Sequence, residues 1–270
     1  MRNLGYLVGV LAAAIVASSA GAISTGFVYA EGDGWNHKAG SMISFDGGAH
    51  LEDRTLGSYN ILLDSTGLTD TTKAGGEGTL LLQQLAKSQN YEVSGFAVNY
   101  EPIIPSSKSV KYELFTPQEM PNMTEPKALD LRRLWNGYHG LTALEGKQTI
   151  GGVKCDAEDI NAAFAACVIE IVTEDPSNKY DLTDGQLRVQ NSTIRGLASQ
   201  WLTNLGSDQP DIGLRFLVDD NNGSNKDFRD FVLVVDGFGA APMVPEPLTM
   251  TGLSMALFAG AAYIRRRRAA

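Results

Sequence analysis

The stretch from Asp156 to Ile171, DAEDINAAFAACVIEI, carries the clearest structural pattern in the chain. Its apolar residues recur at the spacing of one helical face. They are Ile160, Ala163, Phe164, Cys167, Val168 and Ile171. Asp156 precedes this stripe and has a side chain suited to an N-cap. The sequence therefore predicts a helix here, with one face in the core.

Two further segments, one on each side, show the same spacing. The first begins at Thr124-Glu125-Pro126, a cap residue with an early proline, and ends near Gly140. Its stripe consists of Leu131, Leu134, Trp135 and Tyr138. The second is stopped by Gly206, and its stripe consists of Ile194, Leu197, Ala198, Trp201, Leu202 and Leu205. We therefore expect about three amphipathic helices.

Short runs of β-branched and aromatic residues, separated by turn-forming residues, predict strands elsewhere. These runs cover residues 23–30, 41–45, 61–63, 91–98, 109–115, 212–218 and 231–235. The last two flank a polar turn around Asn222-Gly223 and predict a β-hairpin. Residues 65–78 are rich in Thr and Gly and predict a loop, whereas residues 79–85 fit a strand or a short helix. The expected fold class is α+β, with a strand-rich, β-sandwich-like body.

The C-terminal region combines three features in a fixed order. Val244, Pro245, Glu246 and Pro247 are followed by an uncharged run, Leu248–Ile264, and then by Arg265, Arg266, Arg267 and Arg268. As a helix, the run would be roughly 25 Å long, which suffices for a bacterial inner membrane. Because positive clusters stay on the cytoplasmic side, residues 265–270 are predicted to be a cytoplasmic tail.

This order of features resembles the PEP-CTERM sorting signal of Gram-negative bacteria. The resemblance covers residues 244–268 and implies an exported protein that is held transiently in the inner membrane. An exosortase would then cut it near Pro245-Glu246-Pro247 and release it to the cell surface or the extracellular matrix.

The N-terminus is consistent with export. Arg2 is followed by an apolar run, Leu4–Val16, and by the small residues Ala20 and Ala22 around Gly21. This arrangement is typical of a signal peptide, residues 1–22, cut by signal peptidase after Ala22. The alternative, an N-terminal membrane anchor, requires a longer apolar run.

The exported body is predicted to span residues 23–236, with a Gly/Ala/Pro linker over residues 237–247. The whole chain has 22 Lys and Arg against 31 Asp and Glu, a net charge of −9. Removal of Arg2 and the four C-terminal arginines leaves 17 basic residues against 31, a net charge of −14. Such a body repels nucleic acid and anionic lipid headgroups, so neither is an expected partner. Its acidity suits an environment of polysaccharides and divalent cations, although a need for solubility explains it equally well.

The body also resembles, over roughly residues 91–236, a thioester-type domain found in PEP-CTERM proteins. The resemblance is carried by Gly95-Phe96-Ala97-Val98, Ala162-Ala163-Phe164-Ala165 with Glu170-Ile171, Gln200-Trp201-Leu202 and Asp230-Phe231-Val232. A thioester needs a Cys beside a Gln, and the corresponding positions hold Ala97 and Ala165. The resemblance thus implies a scaffold that has lost its covalent reactivity. A chance similarity of one helix and some strands is the alternative.

Two cysteines, Cys155 and Cys167, would be expected to pair in an oxidising compartment. Along one helix, however, twelve positions separate them by about 18 Å, far more than the roughly 4–7 Å that a disulfide allows between Cα atoms. This distance favours two unpaired cysteines, with Cys167 buried on the apolar stripe. Neighbouring ligands at zinc spacing are missing, so no metal is expected at this pair.

Catalytic motifs are missing from the sequence. His37, His50 and His139 stand in no zinc-binding array, and no Gly-x-Ser-x-Gly elbow occurs. A carboxylate pair such as Glu170 with Asp175 fits a glycosidase only unspecifically, because acidic proteins offer many such pairs. We therefore expect no enzymatic activity and no cofactor, and keep a polysaccharide hydrolase as an alternative.

One polar segment, residues 219–227, resembles a calcium loop in composition. Its oxygen donors are Asp219, Asn221, Asn225 and Asp227. The loop lacks the terminal Glu of such sites, and Lys226 opposes a cation. A plain hairpin turn is the favoured alternative.

Among the three tryptophans, Trp135 and Trp201 lie on helical apolar stripes and are expected in the core. Trp35 lies in a predicted Gly/Asp/Asn loop and is the candidate for exposed sugar stacking. Taken together, the patterns predict an exported surface or matrix protein with a structural or adhesive role and extracellular polysaccharide as a partner. A carbohydrate-binding module is the alternative non-enzymatic function.

Overall fold

A computed structural model describes residues 25–99, 109–174, 180–207, 213–220 and 229–234. The predicted signal peptide, linker, transmembrane helix and basic tail lie outside these ranges. Within them, no helix is long and apolar enough to cross a membrane.

The described residues form ten β-strands, four α-helices and two 3-10 helices. The strands are β1 Gly26–Ser44, β2 Glu52–Leu63, β3 Ala74–Gly76, β4 Glu92–Ala97, β5 Val110–Phe115, β6 Gln148–Ile150, β7 Val153–Cys155, β8 Arg188–Val189, β9 Leu214–Asp219 and β10 Phe231–Val234. The helices are α1 Glu77–Leu85, α2 Glu125–Tyr138, α3 Ala157–Thr173 and α4 Ser192–Thr203, with 3-10 helices at Ser65–Leu68 and His139–Ala143. The α+β class predicted from the sequence is confirmed.

Six antiparallel strands form a sheet that closes on itself, in the order β1, β2, β4, β10, β9, β5 and back to β1. The short strands β3 and β8 pair with the two ends of β1, and β6 pairs with β7 in a separate hairpin. The predicted pairing of the last two strands is confirmed by β9 and β10. The sequence predicts a sandwich-like body, whereas the hydrogen bonding joins six strands into one closed sheet, beyond which the paired ends of β1 and β2 extend.

The first strand differs most from the sequence prediction. Residues 23–30 and 41–45 were expected as two strands joined by a loop, but β1 runs through both as 19 residues. Its pairing with β2 shifts register between Gly32 and Gly34 and again between Trp35 and His37. These bulges absorb the turn-forming residues and let one long strand bend around the barrel. Because β2 pairs with this long strand along nearly its whole length, it covers Glu52–Leu63 and extends well beyond the predicted residues 61–63.

The ambiguous segment at residues 79–85 is helix α1, which packs against the inner core of the barrel. Leu81 and Leu82 are buried in that core. The first residue of α1, Glu77, accepts from Arg215 Nε at 2.6 Å and Nη2 at 2.9 Å, and from Thr25 Oγ1 at 2.7 Å. Because the Arg215 side chain is buried, this two-point contact supplies the partner that a buried guanidinium requires.

Alternate residues of the barrel strands point inward and fill the interior. This inner cluster consists of Val28, Ala30, Tyr59, Ile61, Leu63, Ala74, Leu81, Leu82, Ala97, Val110, Tyr112, Leu114, Leu217, Phe231 and Leu233. The Tyr112 hydroxyl donates to the Arg229 carbonyl at 3.0 Å, so its polar atom is satisfied. The interior is thus a packed core of side chains.

Helices α2, α3 and α4 form a layer against the outer face of the barrel. Helix α3 lies at the centre of this layer and is buried on nearly every side. It starts with a capping box: Asp159 N donates to Asp156 Oδ1 at 3.0 Å, and Asp156 N to Asp159 Oδ2 at 3.3 Å. The prediction of a helix capped by Asp156 is confirmed.

The two flanking helices are also confirmed, with different details at their ends. Helix α2 begins after Thr124 as expected, although the Thr124 side chain makes no capping hydrogen bond. Helix α4 ends at Thr203, before the predicted stop at Gly206. The side chain of Asn191 caps its start by accepting from the amides of Thr193 and Ile194 at 3.0 and 3.2 Å.

The cysteine prediction is confirmed: Cys155 in β7 and Cys167 in α3 are both free and buried. Burial raises the pKa of the Cys167 thiol, and its Sγ donates to the Ala198 carbonyl at 3.5 Å. The thiol therefore behaves as a small buried hydrophobic group.

Candidate functional site

The most distinctive polar feature is a pocket of about 520 Å³, which we call the acidic pocket. It lies where the C-terminal end of α3 meets two turns, at residues 45–50 and 180–187. Its lining residues are Asp46, Gly47, Glu174, Asp181, Asp184, Gly185 and Gln186. Four of these seven carry carboxylates, and one of them, Asp184, accepts at Oδ1 from Arg188 Nη2 at 2.8 Å. The lining itself is therefore acidic, with a guanidinium beside it.

The turn at residues 180–187 is held by its own side chains. Asp181 Oδ1 accepts from Thr183 N at 2.8 Å and from Thr183 Oγ1 at 2.5 Å. These bonds, the hydroxyl first, lower the pKa of Asp181. Gly185 N donates to the Asp181 carbonyl at 2.7 Å and closes the turn, while buried Leu182 anchors it in the core.

The turn at residues 45–50 is organised around Asp46. Asp46 Oδ1 accepts from Ser44 Oγ at 2.6 Å and His50 N at 3.0 Å, and Oδ2 contacts His50 Nδ1 at 2.5 Å. The Ser44 hydroxyl contributes most to the lowered pKa of Asp46, and the Asp46 contact raises the pKa of His50. The side chains of Ser44 and His50 both contact Asp46 directly. In a catalytic triad the histidine would lie between the serine and the carboxylate, so these three residues do not form one.

Below the acidic pocket lies Glu170 of α3, whose side chain is 0% exposed. Its Oε1 accepts from Asp181 N at 2.9 Å, whereas its Oε2 has no hydrogen-bond partner. Burial, followed by the charges of Glu174 and Asp181, raises the pKa of Glu170 to about 7. The neighbouring Glu174 Oε2 accepts from Gln186 N at 2.9 Å.

Gly185 lies between these two glutamates. A Cβ built on Gly185 would lie 3.3 Å from Glu170 Oε1, 3.3 Å from Glu174 Oε2 and 2.4 Å from the Asp181 carbonyl oxygen. Three oxygen atoms, two of them from carboxylates, therefore crowd the position that a Cβ would occupy. A larger residue there would clash with the Asp181 carbonyl.

Several predicted sites lie outside the described residues. They are the sorting motif Val244, Pro245, Glu246 and Pro247, the cluster Arg265, Arg266, Arg267 and Arg268, the cleavage residues Ala20 and Ala22, the loop donors Asn221, Asn225 and Asp227, and the carboxylate Asp175. Asp219, the remaining loop donor, ends β9, and its amide donates to Asp230 Oδ1 at 2.8 Å. In the described parts of the chain, no group of three or more His, Cys, Asp or Glu is arranged to hold a metal ion.

The aromatic predictions have mixed outcomes. Trp135 and Trp201 are buried, as predicted. The expectation of an exposed Trp35 in a loop is wrong, because Trp35 belongs to β1 and is half-buried. Its ring meets Tyr59 edge-on with centroids 5.3 Å apart, and the Arg229 guanidinium lies 5.7 Å from the ring centroid. Packing therefore occupies much of the ring surface that a sugar would need.

The three histidines lie in separate environments. His37 lies in β1 and His50 in the turn that Asp46 organises, whereas His139 stacks on Trp135 with ring centroids 4.6 Å apart. Burial lowers the pKa of His139.

The positions that correspond to a thioester lie on different sides of the sheet. Ala97 of β4 belongs to the inner cluster, and Ala165 of α3 to the outer core. Their neighbours Phe96 and Phe164 pack together with ring centroids 4.7 Å apart. The strand and helix of the resemblance are thus in contact, while the two alanines themselves belong to separate clusters.

Comparison with known proteins found no matching family model, curated protein or solved structure. The acidic pocket itself was missed from the sequence, because its carboxylates are distant in the chain and meet only in the fold. One signal was available: Glu170 is an acid within a helix whose neighbouring positions are apolar.

Proposed function

We propose that this chain is an exported protein of the cell surface or extracellular matrix, sorted through a PEP-CTERM signal, with a structural or adhesive role. The observation that carries the proposal is the order of Pro245-Glu246-Pro247, the uncharged run Leu248–Ile264 and the arginines at 265–268. Signal peptidase and an exosortase are the processing partners. Residues 248–264 hold the protein in the inner membrane until it is cut.

The packing of the body supports binding at its outer surface. The barrel interior is filled by side chains, which leaves no room for a ligand inside it. Turns and helix faces therefore carry the adhesive contacts, and extracellular polysaccharide is the proposed partner.

We also propose that the body is a thioester-domain-like scaffold without the thioester. The contact between Phe96 and Phe164 joins the strand and the helix that carry the resemblance. Ala97 and Ala165 lie in separate clusters, so the proposed likeness concerns the scaffold and not a preserved reactive pair. Ala97 and Ala165 provide neither the thiol nor the carboxamide. Attachment to the surface is accordingly non-covalent, and the protein is not an enzyme.

Sorting is tested by the intact mass of the protein recovered from its native host. The mature chain should end near Pro247 and lack Arg265 to Arg268. Replacing Pro245, Glu246 and Pro247 with alanine should keep the arginines on the chain and leave the protein in the inner membrane. A wild-type chain that retains Arg268 would replace the matrix proposal with a stable inner-membrane anchor.

The non-covalent role is tested on the same cells. Urea extraction of the matrix should release the protein as a single species of the processed mass. A urea-resistant conjugate of higher mass would contradict the loss of covalent attachment.

A further inference from the structure

We propose that the turn at residues 180–187 opens and closes with pH: it lies closed over helix α3 while Glu170 is protonated, and it moves into solvent when Glu170 ionises. The inference concerns a conformational change within the body and does not depend on how the protein is sorted.

Two glutamates of α3 hold the turn in its closed position. Asp181 N donates to Glu170 Oε1 at 2.9 Å, and Gln186 N donates to Glu174 Oε2 at 2.9 Å. Between these two points the turn is closed by a bond of its own, from Gly185 N to the Asp181 carbonyl at 2.7 Å. The turn can therefore move as a unit when its bonds to the two glutamates break.

The Glu170 carboxyl group is poorly placed to carry a charge. Its side chain is 0% exposed, and its Oε2 has no hydrogen-bond partner. The hydrogen bond from the Asp181 amide favours the ionised form, but burial and the charges of Glu174 and Asp181 oppose it. Because the opposing effects are larger, the pKa of Glu170 rises to about 7. Under the closed turn, Glu170 is neutral at acidic pH and becomes charged near neutrality.

The elements around Glu170 carry other charged and titratable groups. They are Cys167 and Glu174 on α3, Tyr180, Asp181 and Asp184 on the turn, Lys127 and Asp130 on α2, Arg188 of β8, and Asp46 and His50 on the turn at residues 45–50. Burial raises the pKa of Cys167 and of Tyr180, so both stay neutral below pH 8.

The basic groups in this set have partners other than Glu170. Lys127 Nζ donates to the Val172 carbonyl at 2.8 Å, and Arg188 Nη2 donates to Asp184 Oδ1 at 2.8 Å. The charges that act on Glu170 are therefore the acidic ones. His50, which contacts Asp46, can also change its charge between pH 5 and pH 8, so the experiment must separate it from Glu170.

Movement of the turn relieves the buried charge with little disturbance elsewhere. The turn lines the acidic pocket, so its displacement admits water to Glu170 while the barrel stays intact. The cost of opening is the exposure of Leu182, which is buried in the outer core. In water the carboxyl group returns from a pKa of about 7 to its ordinary 4.5, and the open population therefore grows about 70-fold between pH 5 and pH 8.

Hydrogen exchange of the full-length chain in detergent, followed by mass spectrometry from pH 5 to pH 8, tests the proposal. Each exchange rate is divided by the intrinsic rate at the same pH to give a protection factor. The protection of residues 180–187 should fall about 70-fold over this range. At pH 8 it should be at least tenfold lower than the protection of β5, which lies in the barrel, because the turn opens without global unfolding.

Three variants identify the group that titrates. Glu170→Gln keeps the side-chain shape without a charge, and the protection of the turn should then vary less than twofold with pH. Glu158→Gln, the same change on the exposed first turn of α3, is the matched control and should keep the 70-fold fall. His50→Gln should keep it as well.

Circular dichroism of each variant shows whether it folds. Should Glu170→Gln fail to fold, Glu174→Gln removes a neighbouring charge and should at least halve the fall in protection. The proposal is overturned if a folded Glu170→Gln variant keeps the full fall, if Glu174→Gln leaves it unchanged, or if His50→Gln abolishes it. It is equally overturned if the wild-type turn shows no fall, or if the turn and β5 share one protection factor at pH 8.

Discussion

Replacing Glu170 with glutamine should stabilise the folded protein at alkaline pH. Glutamine keeps the shape of the side chain, can still accept from Asp181 N, and carries no charge into the core. Without this charge, the repulsion from the neighbouring carboxylates of Glu174 and Asp181 is removed. The single change therefore isolates the cost of burying one negative charge.

The size of the effect follows from the pKa of Glu170, which rises from an ordinary 4.5 to about 7 because of burial and acidic neighbours. A carboxyl group with a raised folded-state pKa binds its proton more tightly in the native chain. Well below pH 4.5 the group is neutral in both the folded and the unfolded chain. As pH rises from 4.5 to 7, it ionises more readily in the unfolded chain, and the fold loses stability. Between pH 5 and pH 8 this penalty grows by about 2.5 kcal/mol.

The measurement is urea unfolding of residues 23–247 at several values between pH 5 and pH 8, in the presence of EDTA. The difference in free energy of unfolding between Glu170→Gln and wild type should increase by about 2.5 kcal/mol over this range. Glu158→Gln, on the exposed first turn of the same helix, should show no such slope. A difference that stays constant with pH would refute the assignment of a raised pKa to a buried Glu170.

Two further substitutions test the outer core and the ion pair between Arg215 and Glu77. Phe164→Ala removes a fully buried ring that packs on Phe96. It should lower the free energy of unfolding, measured in thermal or urea melts, by about 3–5 kcal/mol. The control Leu80→Ala changes an exposed side chain and should alter this free energy by less than about 0.5 kcal/mol. A small effect of Phe164→Ala would mean that the outer core is loosely packed. Arg215→Met strands Glu77 without its main partner and should cost about 3–5 kcal/mol at pH 7, with recovery in the double variant that adds Glu77→Gln. Burial opposes the ionisation of Glu77, but the hydrogen bonds from Arg215 and Thr25 outweigh it and lower the pKa of Glu77. The stability lost in Arg215→Met should therefore shrink as pH falls below 4.5. A loss of stability that is independent of pH would contradict the ion pair.

The helices could be predicted because their signals are local. In α3, the cap at Asp156 and an apolar stripe agree on one structure, and that agreement survives in the fold. The free cysteines are predicted from the rise of one helix that would contain both, but only Cys167 belongs to α3, whereas Cys155 ends β7. By contrast, β1 was predicted as two strands because glycine, aspartate and asparagine weaken local strand propensity. Pairing with β2, together with two bulges, overrides that propensity.

The acidic pocket could not be predicted, since its residues come from three separate segments. Asp46, Glu174 and Asp181 meet because β8 pairs with the end of β1 and Gly47 N donates to Gln186 O at 3.2 Å. Sequence reasoning did single out Glu170, but as one of many carboxylates. Its significance depends on burial and on an unpartnered oxygen, which are properties of packing.

The sequence by itself determined the three core helices, and it predicts the export and sorting signals at the two ends of the chain. These features are patterns of residues close together in the chain, so no tertiary contact is needed to recognise them. They are the helical stripes, the apolar run after Arg2 and the residue order at 244–268. The tertiary structure alone decided the closure of the barrel, the half-buried position of Trp35 and the burial of Glu170 beside Gly185. These features arise from hydrogen bonds and contacts between residues far apart in the chain, whose free energy depends on the whole fold.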